Sequence, residues 1–220
     1  MTTNEAYQKY LIELQANGTT DGVQTTKGRF VVNYNKSQNR VVEWLIERKN
    51  EDDNRYLQKI KVVDKPLTKG DSTNTFDSFI LPKDHFDFMD ARAFADRGSC
   101  KEQPFFVEEF KGENLNVKLK DEDSKPSFKY RESFYILSKD SIIFFKDDFD
   151  FNKVLLTYYK YPLQISLINP TFPDSQLNDV ELEFDDKLTN RIITLSAADQ
   201  SLNSNDQKYQ ALKQEVLSKL

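Results

Sequence analysis

The chain has 220 residues, enough for one domain of ordinary size or two small ones with separate cores. A single cysteine, Cys100, rules out an internal disulfide, and with His85 the only histidine a Cys/His zinc cluster is all but excluded. The 36 acidic and 31 basic residues give a net charge of −5, and the basic ones are scattered. That argues against tight phosphate binding, which draws its affinity from clustered Lys and Arg displacing condensed counterions.

Met1-Thr2-Thr3-Asn4 is neither a basic start nor the lead into an apolar run, and no stretch approaches the ~20 apolar residues of a membrane span. The expectation is a soluble protein made in a reducing cytoplasm. Its 17 Phe, 10 Tyr and 1 Trp are the unusual feature, and they point to a β-rich core or to extensive contacts with partners.

In chain order, Asn4 is placed to cap a first helix with Ala6, Tyr7, Tyr10, Leu11 and Leu14 on one face, ended by Asn17-Gly18. A second helix is expected over 27–49, with Phe30, Tyr34, Val41 and Leu45 on one side. Its middle, 35–40, is polar all round, which predicts a helix that packs at its ends and meets solvent or a partner between them. A third helical piece at 54–62 completes an N-terminal helical layer, 1–64.

Pro66, Gly70 and the run Asp71-Ser72-Thr73-Asn74 then mark a loop. Strands are predicted at 105–110, 115–119, 134–137, 141–145 and 154–161, with Ser138-Lys139-Asp140 in a hairpin connection and Gly112-Glu113-Asn114 joining the first two. Short turns between closely spaced strands imply an antiparallel sheet, a small β-sandwich or a curled sheet, filling 65–180. Asp185 can cap a helix carrying Leu188, Ile192 and Leu195, and beyond Asn203-Ser204-Asn205 a last helix carries Tyr209, Leu212, Val216 and Leu220. The fold class is α+β, with a C-terminal helical hairpin, 181–220, packed on the first helices.

Chemistry leaves few traces. Phosphate-cradling glycine loops and the Gly-x-Ser-x-Gly elbow are absent. Cys100 with His85 reads as a core thiol and a solitary surface imidazole rather than a thiolate pair. Paired carboxylates are the best enzymatic material, since they can hold Mg²⁺ or divide acid and base roles. Asp147-Asp148-Phe149-Asp150 reads as a polar turn pinned by Phe149 and Phe151. Glu108 and Glu109 would point to opposite faces of a strand, and Asp185-Asp186 sits where carboxylates cap a helix. Trp44, Tyr158, Tyr159 and Tyr161 could stack on bases, but with only Lys153 and Lys160 among them they read as strand and core packing. No catalytic, cofactor or metal residue is assigned; the alternative kept open is a virion-associated, carboxylate-dependent hydrolase acting on peptidoglycan or nucleic acid.

The order of elements carries a resemblance. Helices, then Leu81-Pro82-Lys83-Asp84-His85-Phe86, then a β module with Pro126-Ser127-Phe128, then Tyr158-Tyr159-Lys160-Tyr161-Pro162, then 185–198 and a last helix resemble the tailed-phage head-to-tail adaptors. Most similar are the neck ring proteins of the crAss-like phages, in which a cysteine follows the Leu-Pro turn as Cys100 does. His85 departs from the family's Leu-Pro-x-Asp-aromatic turn by separating Asp84 from Phe86. The resemblance implies a non-enzymatic ring of about twelve copies in the virion neck, contacting itself, the portal protein and a tail or neck protein below. DNA would pass through without sequence-specific binding, and a ring charge of about −60 would let it slide. Tyr209, Leu212, Val216 and Leu220 are the expected docking stripe for the portal or a neighbour.

Overall fold

The structure is a computed structural model; it describes residues 1–16, 25–48, 55–112, 114–201 and 214. Two compact units emerge, Lys61–Lys160 and the combination of Met1–Ile60 with Tyr161–Leu220. The fold is α+β, with N-terminal helices, a curled mixed sheet forming a half-barrel, and a C-terminal helix. Among the described residues no helix is long and apolar enough to cross a membrane.

In the helical unit, α1 (Thr3–Ala16) starts one residue before the expected cap at Asn4. Thr2 caps it instead: the Glu5 amide donates to Thr2 Oγ1 (3.4 Å) and the Thr2 amide donates back to Glu5 Oε2 (2.9 Å), a reciprocal capping box. The Asn4 amide is engaged by Asp179 Oδ1 at 3.1 Å. Helix α2 (Lys27–Arg48) follows Thr26, whose Oγ1 accepts from the Arg29 amide. Its apolar face is buried as expected, and its polar middle is divided: Lys36 is exposed and Asn35, Asn39 and Arg40 are half-buried, whereas Ser37 and Gln38 are buried, and Arg40 pairs with Asp199 at 2.8 Å.

The helical piece expected at 54–62 lasts only through 55–57, with a turn at 58–60. Val62 and Val63 belong to a strand, because β-branched residues fit the ladder opposite Tyr158 and Tyr159 better than a helix. Near the end of the described chain, the helix Asp186–Ser201 is capped by Asp185, whose Oδ1 accepts from the Leu188 amide at 2.8 Å. The last helix of the expected hairpin, with Tyr209, Leu212, Val216 and Leu220, lies outside the described residues.

The β unit contains β1 (Lys61–Pro66), β2 (Thr68–Ser72), β3 (Phe76–Ile80), β4 (His85–Arg97), β5 (Cys100–Glu109), β6 (Glu132–Leu137), β7 (Ser141–Phe145) and β8 (Asp150–Lys160). One helix interrupts them, α3 (Leu115–Lys120), so the Asp186–Ser201 helix is α4. The strand order is β1-β8-β4-β5-β6-β7-β3-β2. Its terminal strands are consecutive in the chain with only Leu67 between them, and the Leu67 amide donates to Val154 O at 3.0 Å. A sheet whose two end strands are joined this way has to curl.

Small residues alternate inward on β4, at Ala91, Ala93 and Ala95, and leave room for Phe79, Phe105, Phe144, Phe149 and Phe151. Phe105 lies 4.7 Å from Phe149, and Phe144 lies 5.2 Å from Phe151, both tilted. Each fully buried ring stabilises by about 1.5–3 kcal/mol through area alone.

Three expectations are corrected in this unit, the first being the loop marked by Pro66, Gly70 and 71–74, where Thr68–Ser72 instead form a strand paired with β3. The segment 115–119 is helical: Leu115 and Leu119, four apart, lie half-buried on one side of α3. The Lys118 Nζ of that helix lies 4.6 Å over Phe134, which stacks on Phe145. The sheet is also mixed rather than wholly antiparallel, since β5 and β6 pair in parallel, and α3 lies in the crossover that such a pair requires.

Candidate functional site

The densest polar constellation of the β unit surrounds Asp77, which is fully buried. Asp77 shares the inner face of β3 with Phe79, a position where a carboxylate survives only if every oxygen is paired. Its Oδ1 takes Lys69 Nζ at 2.9 Å, Lys146 Nζ at 3.0 Å and the Ser72 hydroxyl at 2.5 Å, and its Oδ2 takes the Phe151 amide at 2.8 Å. Lys69 Nζ also donates to the Phe151 carbonyl at 2.7 Å.

Both backbone groups of Phe151 are thus met by side chains of β2 and β3. The cluster is a seam: where β8 and the β2–β3 hairpin approach without a ladder between them, Asp77 and Lys69 supply the missing hydrogen bonds. Lys146, only 3% exposed along its side chain, also engages Asp150. Burial pushes the Asp77 carboxyl up, but the hydrogen bonds from Ser72, Lys69, Lys146 and Phe151 outweigh it and hold the group below the ordinary carboxylate range. Burial likewise works against a charged Lys146, and Asp150 and Asp77 together reverse it and raise the ammonium above its ordinary value.

The acidic run 147–150 is spread rather than focused. Asp147 pairs with Lys125 at 3.3 Å, Asp148 with Arg97, and Asp150 with Lys146, while Phe149 and Phe151 are buried as expected of pinning residues. A cleft of about 460 Å³ opens above the seam, lined by Ser72, Asp96, Arg97, Lys146 and Asp148 among others. No group of three His, Cys, Asp or Glu side chains among the described residues is placed to hold a metal. Glu108 and Glu109 are neighbours on β5, opposite Phe134 and Tyr135, and Glu109 pairs with Lys111 at 3.0 Å. Asp185 caps α4, and Asp186 meets the N-terminal ammonium of Met1 at 3.4 Å.

Cys100 and His85 do not meet. Cys100 is exposed beside the tight β4–β5 turn, where Gly98 takes φ of +56°, so it is not the core thiol expected. His85 starts β4, on the order of 35 Å of strand away. Nor is His85 a free surface imidazole, since it is half-buried with its ring 5.5 Å from that of Tyr158. Burial holds its pKa below the ordinary value against the opposing pull of Asp87 and Asp84.

Tyr158 and Tyr159 are buried in the sheet, Tyr161 is exposed, and Trp44 is half-buried beneath the Arg48 guanidinium at 4.8 Å. The turn at 81–86 and the Tyr-rich strand end come together: the Tyr158 hydroxyl donates to Asp84 Oδ1 at 2.9 Å, and His85 pairs with Lys160 across β4 and β8. Burial first, then the adjacent Asp84, pushes the Tyr158 phenol up to about 12, so it remains a donor throughout the physiological range.

The helical unit carries a second feature, which the sequence reading missed. Residues 161–184 form an irregular arm with apolar groups left outside: Leu163, Ile168 and Phe172 are 53%, 64% and 63% exposed. Its backbone is nevertheless fixed. Asn35 of α2 clamps Ile165 from both sides, donating to the carbonyl at 2.9 Å and accepting from the amide at 3.0 Å. The Gly28 amide donates to Pro173 O at 2.8 Å, and a Cβ at Gly28 would lie 3.1 Å from that oxygen. Val180 O accepts from the Thr3 amide, and Ile168 N–H reaches Gln176 O at 2.8 Å across the arm's hairpin.

The tip turns through Asn169, whose Oδ1 accepts from the Thr171 amide and whose own amide donates to Ser175 Oγ. Asn35 was the available signal, an amide in a polar stretch of a helix that is otherwise apolar on one side. No protein-family model matches this chain, and no curated protein matches it in sequence.

Proposed function

We propose that the chain is a structural subunit of a ring in the neck of a tailed phage, seated between portal and tail, with about twelve copies continuing the DNA channel. Its work is assembly: it holds neighbouring proteins and transforms no substrate. The observation that carries the reading is the arm at 161–184, where Leu163, Ile168 and Phe172 are left in solvent on a backbone fixed by Asn35, Gly28 and Thr3. Exposed apolar anchors on an ordered loop are the economical form of a protein-binding surface, because little entropy remains to be lost when the partner arrives.

The acidic side chains that would serve a hydrolase support the same reading by their present use: Asp77 closes the sheet, and Asp147, Asp148 and Asp150 each meet a different cation. The resemblance of the segments 81–86 and 158–162 to head-to-tail adaptors is the other support, and Asp84 with Tyr158 gives those two segments a shared structural purpose. The stripe Tyr209, Leu212, Val216 and Leu220 is the proposed portal-docking element.

Sedimentation of the full chain alone and with the portal protein tests the proposal. A shift from monomer to ring in the presence of the portal is expected, together with loss of that shift on deleting 203–220 from a chain whose circular dichroism is otherwise retained. A chain that ignores the portal, or hydrolysis of peptidoglycan or DNA that Asp147→Ala abolishes, would overturn it.

A further inference from the structure

The turn at 81–86 and the first residues of β4 hold a histidine that assembly does not use. The His85 amide donates to Pro82 O at 3.0 Å, which closes the turn, and the Tyr158 hydroxyl of β8 donates to Asp84 Oδ1 at 2.9 Å, which ties the turn to the sheet. His85 packs its ring 5.5 Å from that of Tyr158. The residue as a whole is half-buried, but its Nε2 is buried and has no hydrogen-bond partner among the described residues. The ladder beside it is irregular, with register shifts against β8 between His85 and Asp87 and again between Phe88 and Asp90. Bulges of this kind weaken pairing at the place where the imidazole sits.

Few charged or titratable groups surround the ring. Asp84 precedes it, Asp87 follows it past the first register shift, and β8 presents Tyr158 and, directly across the ladder, Lys160. Neither carboxylate reaches Nε2, and Asp84 already accepts from Tyr158. A neutral imidazole with its proton on Nδ1 leaves only a lone pair in the dry position. A protonated one has donors on both nitrogens, so Nε2–H would bring charge into that position without an acceptor. It gains an acceptor only by movement, of the ring toward solvent or of Asp84 away from Tyr158.

We infer that His85 is an acid-operated latch: neutral, it lets the 81–86 turn close against β8, and its protonation opens that turn while the rest of the β unit stays folded. Burial favours the neutral form against the pull of Asp87 and Asp84, so closure is complete above the ordinary histidine value of about 6.5 and is lost as pH falls below it. Because the ring is half-buried, its effect on whole-chain unfolding is small beside that of the seam, and the readout is local. The latch operates whether or not the chain forms a ring.

Two measurements on the full chain test this, at about pH 7 and about pH 5, a range in which carboxylates stay charged and His85, the only histidine, changes charge. The titration of the imidazole, followed by NMR, should have its midpoint below the ordinary value. Exchange of the His85 amide, corrected for its intrinsic pH dependence, should quicken by about threefold or more at the lower pH, while the amides of β6 and β7 keep their protection. His85→Phe keeps a ring in the site and removes the charge change, so the pH response should vanish. Tyr158→Phe removes the tie to Asp84 and should give the quick exchange at both pH values.

A His85 midpoint at or above the ordinary value, equal exchange at the two pH values, or a response that survives His85→Phe would overturn the latch. Exchange that quickens throughout the β unit would do so as well, since protonation would then loosen the fold rather than the turn. Should His85→Phe fail to fold, the titration and the exchange of the unmodified chain decide the matter by themselves.

Discussion

The seam of the β unit and the arm of the helical unit use side chains in opposite ways. At the seam, charged groups go inside: Asp77 is fully buried, and Lys69, Lys146, Ser72 and the Phe151 amide saturate it. Along the arm, polar groups hold the backbone from below while Leu163, Ile168 and Phe172 are turned outward. Charge inside and hydrocarbon outside is the reverse of the usual partition, and each inversion has its own cause. A curled sheet must complete its backbone hydrogen bonds where two strands meet without a ladder, whereas an outward apolar group gains its free energy only when something covers it. The seam is therefore a device of folding and the arm a device of association.

The largest expected effect breaks the first half of that contrast. Asp77→Ala leaves the buried Lys146 with the exposed Asp150 as its one counter-charge and the Phe151 amide without its acceptor, and removing one partner of a buried ion pair costs about 3–5 kcal/mol. Replacing both, as Asp77→Leu with Lys146→Met, should cost less than Asp77→Ala alone, because the charges that then lose a partner, Lys69 and Asp150, reach solvent. Urea denaturation measures both, and a single variant that loses less than about 1 kcal/mol would show that Asp77 is not the closure.

Proton linkage gives the same test a pH axis. The folded Asp77 carboxyl titrates below its unfolded value, so its contribution is complete above about pH 4 and is lost as pH falls through the depressed folded value. The folded Lys146 titrates above its unfolded value, so its contribution is present below about pH 10.4 and is lost as pH rises beyond that. Wild type should show a plateau between these limits, and Asp77→Asn should flatten its acid edge.

A smaller effect is expected where the arm is clamped. Asn35→Ala removes both hydrogen bonds to Ile165 and should cost about 1–3 kcal/mol. The loss should be local: amide exchange at Ile165 and through 166–178 should quicken, while the β unit retains its protection. Uniform acceleration of exchange throughout the chain would mean that Asn35 supports the whole helical unit rather than the arm. Smaller again is Thr2→Ala, which removes one half of the capping box at the start of α1 and should cost about 1 kcal/mol in thermal unfolding.

What was legible in the sequence follows the range of the interactions involved. The stripes of α1 and α2, the cap at Asp185 and the hairpin joining Leu137 to Ile142 are fixed by contacts a few residues apart, and periodicity and turn chemistry expose them. Strand β4 was hidden because bulges around Phe86 and Met89 shift its register, so its alternation breaks just where Asp87 and Asp90 make it look like a loop. Strand β3 was hidden by Asp77, a buried acid whose partner Lys146 lies 69 residues away. Helix α3 was misread because Leu115, Val117 and Leu119 also fit a strand's alternation, and only the Phe134 ring beneath Lys118 decides between them. The arm was invisible for a different reason: its order comes from Asn35, Gly28 and Thr3, all far away in the chain.

The smallest expected effect is the sharpest for the second half of the contrast. If Phe172 served the fold, Phe172→Ser would cost what large-to-small changes in a core cost, about 3–5 kcal/mol. Its ring is 63% exposed, the polar atoms that shape its turn belong to Asn169, Thr171 and Ser175, and the pinning contact to α2 runs through Pro173 and Gly28. Truncating the ring removes none of these. The expected change in unfolding free energy is therefore within about 0.5 kcal/mol of zero, while solubility should rise as an apolar anchor leaves the surface. A loss of several kcal/mol would return Phe172 to the core of the helical unit and erase the difference between seam and arm, since both would then be devices of folding.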